Sequence, residues 1–203
     1  MDKFKEEVKN KVRMYSNKEY LDGYINNEYL TSDGDADIKL RLKDKVELFD
    51  YHTVGNQKEL TKEFYDFIEE KSSMLDNNIQ LNLHILGLDL TEKEKGITKH
   101  IIKEHYAIEL YKVQREYRRI NKIIISLFSI GLISLLIYAL IFYSEGSKFF
   151  IEVFGFVFSF ALWKAIENII YDMSRIKYRR DEVAQKLLMD IDFDNKNDES
   201  ESK

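Results

Sequence analysis

The sequence predicts an α+β domain, a small sheet with a covering helix, joined by a helical stalk to a two-helix transmembrane hairpin. Three observations lead there. Residues 123–143, IIISLFSIGLISLLIYALIFY, run 21 positions without a charge. Two segments, around Ile38–Leu42 and Ile79–Ile85, alternate apolar and polar side chains with the period of a half-buried strand. Apolar residues spaced 4, 3, 4, 3 lead into the uncharged run, and such spacing recurs after a second apolar run.

Taken in order, residues 1–16 predict an amphipathic helix, with Phe4, Val8 and Val12 on one side. It would pack on the domain or lie on a membrane surface. The first twenty residues hold no apolar core of the signal-peptide kind. Residues 20–90 predict the small α+β domain. Tyr20–Leu30 is a candidate strand or hairpin. Ile38, Leu40 and Leu42 alternate with Asp37, Lys39 and Arg41, and VELFDY (46–51) follows a turn at 43–45 as a partner strand. Asn56 with Glu59 reads as a capping box opening a helix whose apolar face is Leu60, Phe64, Phe67, Ile68 and Leu75. Asp76-Asn77-Asn78 ends it, and IQLNLHIL returns to period two.

Residues 91–122 predict a stalk helix with Tyr106, Leu110, Val113, Tyr117 and Ile120 as its seam. Residues 123–143 form the first transmembrane helix: at about 1.5 Å per residue they span about 32 Å. Residues 144–148 are an external turn. Residues 148–166 form the second span, with a re-entrant helix as the alternative because Glu152 interrupts it. Residues 167–190 continue as a cytosolic helix whose seam reads Ile166, Ile169, Met173, Ile176, then Arg180, Val183 and Leu187. Residues 191–203 read as a disordered acidic tail.

Charge sets the expected orientation. Lys112, Arg115, Arg118, Arg119 and Lys122 precede the first span, and Arg175, Lys177, Arg179 and Arg180 follow the second. The turn carries only Lys148, beside Glu145, so both termini are expected in the cytoplasm of a multi-pass cell-membrane protein. Lys122, Arg118 and Arg119 would sit at the interface with anionic lipid head groups. Trp163 occupies an aromatic-belt position, and Lys164 is placed to snorkel and to pair with Glu167. Glu152, Glu167 and Asp172 are the candidate structural or gating polar residues. Glu152 would pair with Lys148 near the interface, or line a pore in an oligomer.

Little points to a reaction. The 203 residues contain no Cys, which removes disulfides, thiolate metal sites and Cys nucleophiles. The net charge of −5 argues against nucleic acid as a partner. SDGDAD offers Asp33, Asp35 and Asp37 at calcium-loop spacing, but Ile38 and Asp44 stand where that loop needs Gly and Glu. His52, His84, His100 and His105 form no i, i+4 pair of histidines, and no phosphate-binding glycine loop is present. No enzyme, no cofactor and no metal site is expected.

VELFDYH, a helix, IQLNLHI, a helix into two spans, and ALWKAIENIIYD together resemble a family of uncharacterised bacterial two-span membrane proteins. That family carries an "ELF-x-x-x-D"-like strand end and an "ALWRPIE…YD" signature closing the second span. The resemblance covers roughly Lys39 to Leu188 and is most specific at Trp163, Lys164, Ile166, Glu167, Tyr171 and Asp172. Ala165 stands where the family has Pro, so the resemblance carries no kink to this position. It implies the architecture and no activity. In layout alone the chain is also similar to two-span effector domains of bacterial nucleotide-sensing defence systems. Two functions follow as expectations: a membrane-anchored interaction or regulatory module with a protein partner on its cytosolic domain, or an oligomeric pore or membrane-perturbing effector.

Overall fold

The computed structural model describes residues 6, 11, 29–50, 59–144 and 147–194. The expected helix over 1–16, apart from Glu6 and Lys11, therefore lies outside the described residues, as do Asn56 and most of Tyr20–Leu30. The chain divides into two compact units, one of residues 1–106 with 184–203 and one of residues 107–183.

The first unit is built on a sheet of three parallel strands. They are β1 (Ala36–Arg41), β2 (Leu81–Leu86) and β3 (Asp190–Asp194), in the order β1-β2-β3. Period-two alternation puts Ala36 and Ile38, Leu81, Leu83 and Ile85, and Ile191 into one apolar core. Phe64 and Ile68 of α2 (Lys62–Ser72) join that core, as do Ile102 and Tyr106 of α3 (Glu92–Tyr143). The opposite sheet face carries polar rows in register: Asp37, Asn82 and Asp190, then Lys39, His84 and Asp192. The α+β content matches the sequence reading. The parallel order does not follow from it, because β3 was expected as tail.

Three local expectations are corrected. The described residues 46–50 of the expected strand do not form one: Lys45–Leu48 is a short helix, α1, and Phe49 makes an isolated bridge. The reason is a reciprocal cap. Asp44 Oδ1 accepts from the Val46 and Glu47 amides at 2.9 and 3.1 Å, and Glu47 Oε2 accepts from the Lys43 amide at 2.8 Å. Second, α2 starts at Lys62, not near Asn56. Leu60 is held in an antiparallel bridge with Phe49, and the Thr61 hydroxyl caps the Phe64 amide. Third, Asp190–Asp194 is β3 and not tail; residues 195–203 lie outside the described residues. Parallel pairing with β2 supplies the partners, and Ile191 enters the core.

β3 is held from outside the sheet as well. Lys103 donates to the carbonyls of Leu187 and Met189 at 2.6 and 2.5 Å, satisfying the end of α5 (Ser174–Leu188) just before the strand. Burial pulls the Lys103 pKa below its ordinary value. Gln185 donates to the Asp76 and Ile79 carbonyls at 2.9 and 2.7 Å, which ties α5 to the turn before β2.

α3 opens on a second reciprocal cap. Glu94 accepts from the Thr91 amide and hydroxyl, both at 2.9 Å, and from Lys45 at 2.6 Å. The Lys45 bond first, then the Thr91 bonds, hold its carboxyl at about 2 against an ordinary 4.5. A carboxylate with a depressed folded pKa favours folding above its unfolded pKa and loses that contribution as pH falls toward the folded value. Stability is therefore expected to fall between pH 4.5 and about 2 partly through this group. Glu94→Gln should flatten that part of the acid dependence. Thermal melts of both proteins across the acid range check it, and parallel curves would refute the assignment.

The second unit contains the rest of α3, then α4 (Lys148–Glu167), a π-helical turn at Asn168–Met173, and α5 as far as Val183. α3 and the continuous helix Lys148–Leu188 are both long and apolar enough to cross a membrane, by length and composition. Apolar side chains are exposed on several sides of both, including Leu132, Leu136, Leu140, Phe156 and Phe160.

Candidate functional site

The sequence-selected residues all fall in the second unit, so its helix pairing comes first. On α3 the inward residues are Leu110, Val113, Tyr117, Ile120, Ile124, Leu127, Gly131, Ser134 and Tyr138. They step 3, 4, 3, 4 without interruption, which extends the seam expected for 110–120 through the whole apolar run. On α4 the inward residues are Ile151, Phe154, Phe158, Ala161, Ala165 and Asn168, and below them Met173, Ile176 and Val183. The two helices approach closely at Gly131, where an added Cβ would lie 3.7 Å from the Ala161 Cβ and 3.8 Å from the Phe158 ring. Gly155 sits 3.6 Å from the Tyr138 ring on the same measure. An apolar cavity of about 110 Å³ lies beside Gly131, lined by Leu127, Phe128, Leu132, Phe158 and Leu162.

This corrects the expected seam of the returning helix. Ile166 and Ile169 are 39% and 41% exposed, whereas Ala165 and Asn168 are 0% and 7% exposed. The cause is the π-turn. Its i to i+5 bonding inserts one residue, so the step from Asn168 to Met173 is five and still returns to the same face. Below the turn Met173, Ile176 and Val183 are buried as the spacing predicts.

The polar residues then fall into place. Lys164 Nζ lies 2.9 Å from Glu167 Oε2, the pair the spacing predicts. Asp172 faces Arg175 at 3.9 Å. Both contacts are internal to the returning helix, so these acids do not grip the basic segment of α3. Arg179 makes that link instead, 3.9 Å from both Glu109 and Glu116, and Arg180 lies over the Tyr117 ring. In the sequence Arg179 stands only as one member of a basic cluster. The signal was present in Glu109 and Glu116, two acids one heptad apart on α3.

Trp163 is 69% exposed, on the side of α4 away from α3. Glu152 and Lys148 are exposed, and no ion pair joins them among the described residues. Arg115, Arg118, Arg119 and Lys122 are exposed at the foot of the uncharged run, and no carboxylate pairs with them among the described residues. That leaves four cations in succession without internal neutralisation. Ser129 bonds back to the Ile125 carbonyl at 2.9 Å, and Ser159 to the Gly155 carbonyl at 2.9 Å, which satisfies both hydroxyls within their helices.

The histidines and acids of the first unit stay local. His84 lies 3.5 Å from Asp37, His105 stacks on Tyr65 at 3.8 Å between centroids, and His100 is 3.8 Å from Glu104. Asp33 and Asp35 occupy the turn before β1, where the Thr31 amide donates to the Asp35 carbonyl. Among the described residues no three such side chains converge on a point where a metal ion would sit.

The chain matches no family model, no curated protein and no solved structure.

Proposed function

We propose that this chain is an integral membrane protein whose α+β part is a cytoplasmic interaction or regulatory module without enzymatic activity. Residues 123–143 and 148–166 cross as a hairpin, and both termini stay in the cytoplasm. The observation that carries this reading is the unpaired run Arg115, Arg118, Arg119 and Lys122 beside 21 uncharged residues. Cations left without protein partners at the end of an apolar span suit anionic head groups, each worth about 1 kcal/mol near the surface. Trp163, exposed near the other span's end, suits the same interface.

Labelling tests the orientation cleanly, because the native chain has no Cys. Ser147→Cys should react with an impermeant maleimide in intact cells, and Lys99→Cys only after permeabilisation. The reverse pattern, or release of the protein by alkaline carbonate, would sink the reading. The triple variant Arg118→Gln, Arg119→Gln, Lys122→Gln is expected to lower the fraction in this orientation, since it removes about 3 kcal/mol of lipid attraction. Unchanged Ser147→Cys labelling would refute the role given to these residues. A search for the protein partner needs the whole chain: a fragment ending near residue 110 would lack β3.

Glu152 supports a second reading. A carboxylate exposed on the apolar surface of α4 would line a path if several copies assembled, giving a pore or membrane-perturbing effector. Expression would then dissipate the membrane potential, and Glu152→Gln would change the leak. A single-copy state in nanodiscs, with no leak, removes this reading.

A further inference from the structure

The helix Lys148–Leu188 carries two series of residues at steps of 3 and 4, and one of them forms the main contact with α3. The observed seam of α4 is Ile151, Phe154, Phe158, Ala161, Ala165 and Asn168. It joins Met173, Ile176 and Val183 only because the π-turn supplies a five-residue step. One position along lies a second series: Glu152, Gly155, Ser159, Leu162, Ile166 and Ile169. It continues to Met173, Ile176, Arg180 and Val183 in uninterrupted steps of 3 and 4, so an α-helix without a π-turn would present it to α3. Its lower members, Ile166 and Ile169, are apolar and are left 39% and 41% exposed.

We infer that α4 occupies two rotational registers against α3, one residue or about 100° apart, and that the π-turn at Asn168–Met173 is the element that stores or releases the difference. Two features make the second register accessible, and a third change follows from it. The cavity beside Gly131 is already lined by Leu162, the residue that rotation carries to the place of Ala161. Ile169 replaces Asn168 in the seam, exchanging a buried amide for an apolar side chain. Above, Glu152 and Ser159 turn from the exposed apolar surface toward α3. The seam on α3 and the paired residues of α5 keep their faces throughout. The device therefore changes what α4 shows to its surroundings, including Glu152 and Trp163, while leaving the packing below the turn in place.

The inference rests on helix packing within one unit, so it stands or falls separately from the orientation and from the activity proposed above. Cysteine pairs in the full chain, reconstituted in nanodiscs, read the register directly. Gly131→Cys with Ala161→Cys reports the observed register, its Cβ separation of 3.7 Å being suited to a disulfide. Gly131→Cys with Leu162→Cys, which already flank one cavity in the observed register, reports the second by the share of its rate that changes at the π-turn and at Ile166 and Ile169 remove. Gly131→Cys with Phe160→Cys is the control, since Phe160 is off the seam in both. The second pair is expected to oxidise more slowly than the first by roughly ten- to a thousandfold, as for a minor state, yet faster than the control. Deleting Ile170 removes the extra residue and should slow the second pair while sparing the first. Ile166→Ser with Ile169→Ser, at exposed positions, should likewise suppress the second pair and spare the first. A second pair no faster than the control in the otherwise native chain overturns the proposal, as does a second pair untouched by the two-serine change.

Discussion

A chain ending at Met189 is expected to lose the sheet of the first unit. The cut removes the five residues of β3, the buried Ile191 and the half-buried Phe193. Burial of one large aliphatic side chain and part of an aromatic contributes about 3 kcal/mol, and the lost ladder along Asn82–Leu86 adds about 1–2 kcal/mol. A loss of about 4–5 kcal/mol consumes most of the stability of a small domain. A chain ending at Asp194 keeps β3 and should behave as the full protein. Amide exchange of Leu81–Leu86 distinguishes the two: protection should vanish in the shorter chain and persist in the longer. Equal protection in both would mean that β3 contributes nothing, and that 190–194 acts as the acidic tail its composition suggests.

Gly87→Ala is expected to cost far more than a one-methyl change ordinarily does. Gly87 ends β2 with φ of +86°, a left-handed conformation that costs an L side chain about 1–2 kcal/mol. An added Cβ would also meet the Leu42 carbonyl oxygen at 2.6 Å, a backbone atom that cannot swing aside. Relieving that contact strains the hydrogen bond from the Leu42 amide to the Leu86 carbonyl, worth about another 1 kcal/mol. The total expected is about 3 kcal/mol. Gly34→Ala is the matched control, because Gly34 has φ of +89° but nothing within 4 Å of the added Cβ. Thermal melts in detergent should show the larger drop for Gly87→Ala. Equal drops would show that the close approach to Leu42 carries no weight.

Both predictions concern features that the local pattern concealed. In the DIDFD segment three aspartates outnumber two apolar residues, which reads as solvated chain. It becomes a strand because Leu83 and Ile85 offer unused ladder positions to Ile191 and Phe193, far away in sequence. The α1 cap, by contrast, is legible in the sequence: Asp44 and Glu47 stand at cap and third-residue spacing, a local signal for a helix within the strand-like VELFDY. At the helix pair the Lys164–Glu167 contact and the Val113 and Ile176 seam positions followed from spacing alone. Ala161 and Ala165 did not, because a search for large apolar residues passes over the small ones that let two helices approach.

The sequence by itself determined the two long apolar helices, the cation runs beside them, and the alternation of β1 and β2. Each is a property of neighbouring residues, set by hydropathy, charge or a period of two or seven. Only the tertiary structure decided that β3 completes a parallel sheet, and that Ala161, Ala165 and Asn168 rather than Ile166 and Ile169 are buried on Lys148–Leu188. Those choices depend on partners distant in the chain. One strand needs the open edge of β2, and one π-turn reconciles a seam of Ala161, Ala165 and Asn168 with a lower seam of Met173 and Ile176.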